Sequence, residues 1–112
     1  MTIWVASNNK EDLRLGVEVL TNEFRCMVFI FSTELEFRKK VEAVKAGSVL
    51  CPDLALLSLN LRWTHPSPKM EMPPPAIAEE INRRGEFATG FRLRRLLAET
   101  ASTRRIPVIV RG

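Results

Sequence analysis

Ser58 stands where an apolar run stops, and its hydroxyl is the first group in the chain to weigh for chemistry. The stretch Cys51-Pro-Asp-Leu-Ala-Leu-Leu-Ser58-Leu-Asn60 leads from a turn-forming Pro-Asp into the unbroken run Leu54 to Leu57. That is the pattern of a buried parallel strand whose C-terminal end opens onto a site. A second apolar run, Ile3 to Ala6, also ends on polar residues, Ser7 and Asn8. Two such strands side by side would gather Ser7, Asn8, Ser58 and Asn60 at one end of a sheet. The group could hold a small polar ligand, use Ser58 as a nucleophile, or do no more than cap strand ends. A serine hydroxyl is a weak nucleophile without an adjacent base, and no Gly-x-Ser-x-Gly elbow surrounds Ser58. Hydrolysis through Ser58 is therefore the weakest reading. The single histidine, His65, stands apart in a proline-rich stretch.

Charge offers a second kind of chemistry. The chain has 17 basic and 13 acidic residues, a formal net charge of +4. From Arg83 to Arg111 there are eight arginines against Glu86 and Glu99, so the remainder is slightly acidic. Arg92, Arg94, Arg95, Arg104 and Arg105 could face phosphates, meet an acidic protein, or form a solvated helix face. Tyrosine is absent, and no aromatic-interleaved basic motif, helix-turn-helix or zinc pattern stands out. Cys26 and Cys51 lack metal-like spacing and read as buried apolar thiols.

The elements that must position these residues follow from periodicity. At 112 residues the chain is expected to form a single domain, 1–112. No apolar stretch reaches the roughly 18 residues of a membrane span, and the N-terminus lacks a signal-peptide pattern, so a cytoplasmic location is expected. Strands are predicted at Ile3–Ala6, Met27–Phe31, Leu54–Leu59 and Ile106–Val110. Helices are predicted over 10–22, from Thr33 to about Ala46, over 76–84 and over 90–99. Thr33-Glu-Leu-Glu36 fits a capping box, and Gly47 a helix stop. In the last helix Phe91 or Leu93, with Leu96 and Leu97, forms the core stripe. Strands alternating with helices argue for an α/β fold, a parallel sheet with helices on both faces.

Between the third strand and the last helix lies a segment of different character. Arg62 to Pro75 holds five of the seven prolines, and is expected to be irregular or polyproline-like. Trp63 sits at its start, either as an interface anchor or in local packing.

Two blocks resemble the receiver domains of bacterial response regulators. One is Pro52-Asp-Leu-Ala-Leu-Leu-Ser58-Leu-Asn60-Leu. The other is Gly90-Phe-Arg-Leu-Arg-Arg-Leu-Leu-Ala-Glu-Thr-Ala-Ser-Thr-Arg-Arg-Ile-Pro-Val-Ile-Val110. The resemblance implies a flavodoxin-like sheet of order 2-1-3-4, with the family's fifth strand missing and an insertion at about 62–89. It also implies that the family's chemistry is gone. Ser58 stands at the phosphoacceptor aspartate. Ser7 and Asn8 stand at the acidic pair that holds Mg²⁺, and neutral side chains supply no charge for it. Gly112 stands at the switch hydroxyl, and the lysine that would follow strand five has no counterpart.

The resemblance thus points to a degenerate, pseudo-receiver module that is no enzyme, needs no cofactor or metal, and works by protein contact in bacterial signalling. A protein partner would meet Trp63, Arg92, Arg95, Arg104 and Arg105. Val108 and Val110 would lie on an open edge strand that a second copy or a partner covers. The alternative is a nucleic-acid-binding module using the arginines.

Overall fold

The computed structural model describes residues 1–111, with the side chains of Lys10, Glu11, Asp12, Leu15, Glu86 and Phe87 outside that description. In chain order the elements are β1 (Thr2–Ala6), α1 (Lys10–Asn22), β2 (Met27–Phe31), α2 (Glu34–Lys45), β3 (Leu54–Ser58), α3 (Pro75–Arg84), a 3₁₀ turn (Gly85–Ala88), α4 (Thr89–Glu99) and β4 (Val108–Arg111). The strands form one sheet of order β2-β1-β3-β4, and each neighbouring pair is parallel. The chain therefore has the parallel α/β fold that its alternating elements imply, in the order 2-1-3-4 expected from the resemblance.

Side chains alternate across the sheet, so each strand serves two faces. On one face Trp4, Ala6, Phe31, Ala55 and Leu57 meet Phe37, Val41 and Val44 of α2 and Leu93 and Leu97 of α4. Trp4, Phe31 and Phe37 form a triangle of edge-to-face rings with centroids 5.3–5.6 Å apart, a geometry their quadrupoles favour. On the other face Val5 and Leu56 lie side by side in register. Leu13, Val17 and Leu20 of α1 border the same groove.

Local chemistry sets the element ends. Thr33 Oγ1 accepts from the Glu36 amide at 3.3 Å, the N-cap bond of the expected box. At the other end of α2, Gly47 has φ 79°. Its amide donates to Val44 O at 3.0 Å and the Ser48 amide to Ala43 O at 3.0 Å, which is a Schellman motif. Pro75 opens α3, where a missing N–H costs nothing. The last strand starts at Val108 rather than Ile106, because the Ile106 amide is drawn into a turn on Thr103 O at 3.1 Å. In α4 the core stripe takes Leu93, four residues before Leu97, and leaves Phe91 exposed.

Gly90 locks α4 against the sheet. A Cβ there would lie 2.8 Å from Ser58 O and 2.9 Å from Val110 Cγ1, so only glycine permits the approach.

The segment 62–89 is more ordered than its prolines suggest. Arg62 bridges Thr33. Arg62 O and Trp63 O accept from the Glu34 and Leu35 amides at 2.8 and 2.9 Å. These carbonyls satisfy first-turn donors of α2 that would otherwise lack partners. The segment then runs without regular structure to α3. Cys26 is buried as expected, but Cys51 is exposed, its thiol donating to Ser102 O at 2.9 Å.

Candidate functional site

The C-terminal ends of β1, β3 and β4 meet at one place, and the polar residues collect there. Ser7, just past β1, donates its amide to Phe31 O at 3.0 Å and accepts the Asn9 amide on Oγ at 3.2 Å. Ser58, the last residue of β3, accepts the Asn60 amide on Oγ at 3.3 Å and donates to Asn60 O at 3.4 Å. Arg111 ends β4 directly beside Ser58. A cavity of about 320 Å³ opens at this point, with Ser7, Asn8, Asn9, Ser58, Asn60 and Arg111 at its polar end. Its wall is apolar and includes Val5, Leu56, Leu13 and Val17.

Ser7, Asn8, Ser58 and Asn60 are therefore brought together as the strand pattern implied. Gly112 lies outside the described residues. Sequence reasoning missed Arg111 as a member of the group, counting it only as one more charge. The register of the last strand was the available signal, since Arg111 follows Val110 at the strand end. Among the described residues the Ser58 hydroxyl finds only Asn60 as a partner, and no base activates it. His65 is placed elsewhere, its Nε2 3.0 Å from Ser32 Oγ just past β2. Among the described residues no group of three or more His, Cys, Asp or Glu is placed to hold a metal ion.

The residues expected to meet a partner divide into four sets. Arg92 is corrected outright as a surface residue: it is 4% exposed and belongs to the interior. Its Nη2 donates to Glu34 Oε1 at 2.7 Å and its Nε to Glu34 Oε2 at 3.1 Å. Thr89 Oγ1 accepts from the same Nη2 at 3.1 Å and donates to Leu61 O at 2.7 Å. Arg38 closes the other side of Glu34 at 2.9 Å. Arg95, Arg104 and Arg105 are exposed, as is Arg94. Trp63 is half-buried and donates its indole N–H to Glu71 O at 2.9 Å, which folds the proline-rich segment back on itself.

Val108 and Val110 are half-buried against the core rather than displayed, and Ile109 is the exposed side chain of β4. What β4 does present is backbone. Pro107 O and Arg111 O accept from Ala55 and Leu59 of the β3 side at 3.0 and 2.8 Å. By alternation Val108 and Val110 turn their N–H and C=O groups outward. The opposite edge is as open: Met27, Phe29 and Ile30 of β2 are exposed apolar residues. The expected order 2-1-3-4 already puts β2 at a rim, as observed.

No described helix is long and apolar enough to cross a membrane. No family model, curated protein or solved structure matches the chain.

Proposed function

We propose that this chain is a receiver-like protein-interaction module that works in the cytoplasm without aspartyl phosphorylation. The observation that carries the reading is the polar group at the ends of β1 and β3. The strand order is the one a receiver needs, yet the lining there is Ser7, Asn8 and Ser58, with no carboxylate among the described residues. Among the described residues a phosphoryl group has no carboxylate acceptor there, and Mg²⁺ has no charged ligand. The surfaces left for contact are the β4 edge with Ile109, the exposed Arg94, Arg95, Arg104 and Arg105, and the segment beyond Trp63.

Treatment with acetyl phosphate and Mg²⁺ leaves the mass unchanged on this reading, and a phosphorylated product overturns it. Capture from host extract supplies the second arm. Replacing residues 65–74 with a Gly-Ser segment of equal length abolishes partner capture, while Arg62 and Trp63 stay to cap α2. Salt-sensitive retention on DNA, lost when Arg94, Arg95, Arg104 and Arg105 become Gln, would instead establish the nucleic-acid reading. Burial of Arg92 already removes one of that reading's five arginines.

A further inference from the structure

We infer that the groove between α1 and the sheet binds a small organic carboxylate with an apolar body, the carboxylate held by Arg111. This goes beyond the interaction reading and does not depend on it, because the groove lies on the sheet face and not on its edge.

Three observations converge. The first is charge: among the described residues Arg111 is the one cation in the lining, no carboxylate shares the lining with it, and no ion pair engages it. Ser58 is its register partner. Ser7 stands just past Ala6, whose own partner is Leu57, and neighbouring strands run about 4.8 Å apart. The Ser7 oxygen already accepts from the Asn9 amide, which leaves its proton to donate. A guanidinium flanked by hydroxyls suits a carboxylate, which guanidinium can grip through two parallel bonds.

The second observation is the wall. Val5 and Leu56 from the sheet, with Val17 and Leu20 from α1, continue the groove away from its polar end. A bare inorganic anion would leave that apolar surface unused. Among the described residues of the lining a dication would find no anionic ligand. At about 320 Å³ the space lies near the lower end of ligand cavities, roughly 300–1,000 Å³, which suits a medium-chain or arylalkyl acid.

The third is Gly16, in the interior of α1 and part of the same lining. Glycine is unfavourable there relative to alanine. A Cβ on Gly16 would meet nothing within 4 Å, and the residue needs no positive φ. Neither packing nor backbone requires it. Its effect is to widen the groove.

The test titrates octanoate, octanol and inorganic phosphate into the full chain, read by amide NMR shifts and by thermal midpoint. Octanoate is expected to give saturable shifts at residues 7–9, 16–20 and 58–60 and to raise the midpoint. Octanol should bind about tenfold more weakly, since it lacks the charge-assisted bonds, and phosphate should not bind. Arg111→Gln should bring octanoate down to the octanol level. Gly16→Leu should abolish binding of both while keeping a dispersed spectrum, and Gly16→Ala, a smaller filler, should weaken both. The proposal is overturned by absence of a saturable octanoate response, by equal binding of octanoate and octanol, or by undiminished binding in Arg111→Gln.

Discussion

Arg92 and Glu34 are 58 positions apart in sequence and joined inside the protein by two hydrogen bonds, at 2.7 and 3.1 Å. Both side chains are almost wholly enclosed. The pair fastens α4 to the start of α2, and through Thr89 and Leu61 it also fixes where the chain leaves β3.

Removing Glu34 leaves Arg92 buried without a counter-ion, whereas removing Arg92 leaves Glu34 its bond to Arg38. Glu34→Ala should cost about 3–5 kcal/mol, and Arg92→Ala less. Arg92→Met combined with Glu34→Leu should lie close to the parent, since two apolar side chains need no mutual compensation. Urea midpoints of the single and double variants decide the matter. A single variant as stable as the parent would show that the pair does not hold α4.

Three glycines should respond in three ways to alanine. Gly90→Ala forces a methyl against Ser58 O and Val110, and should cost about 1–3 kcal/mol. Gly47→Ala puts a side chain at φ 79°, and should cost roughly 1–2 kcal/mol. Gly16→Ala meets open space, and should stabilise by about 0.5–1 kcal/mol. Denaturation midpoints that failed to set Gly16→Ala above the parent and the other two below it would contradict the packing described.

The outward N–H groups of β4 belong to Val108 and Val110. If a second copy pairs there, Val108→Pro removes a donor the fold does not use and should lower self-association. Sedimentation over a range of concentrations, with circular dichroism as the folding control, reads this directly. Dissociation by Ile30→Lys alone would move the contact to the β2 edge. A parent that stays monomeric throughout would exclude pairing at either edge.

The two thiols should separate kinetically. Cys51 is exposed and Cys26 is buried. A thiol reagent should label one cysteine rapidly in the native protein and the second only on unfolding. Mass mapping that finds Cys26 labelled first would refute the placement of that loop.

Much of this was legible in the sequence, because it rests on local rules. Apolar runs of strand length, helical spacing at Leu13, Val17 and Leu20, the Thr33 cap and the Gly47 stop all act over a few residues. Alternation of strands and helices then implied the parallel sheet, and with it the gathering of Ser7, Asn8, Ser58 and Asn60.

What failed was long-range. Arg92 was read with its arginine neighbours as surface, although a helix turns about 100° per residue and sends it inward while Arg94 and Arg95 stay out. Its destiny was set by Glu34, which looked like an ordinary first-turn acid. Trp63 and Arg62 lie in a proline-rich stretch, but the open amides of α2 order them. Cys51, apolar by type, is exposed because its loop leaves the core. Arg111 joins the site only because β4 lies in register beside β3.

The amino-acid sequence by itself determined which segments become strands and helices, since hydrophobic period and capping chemistry act along the chain. Only the tertiary structure decided which charges are buried and which residue faces the groove. Those depend on partners dozens of residues away, and a pairing of that kind leaves no mark on the local pattern.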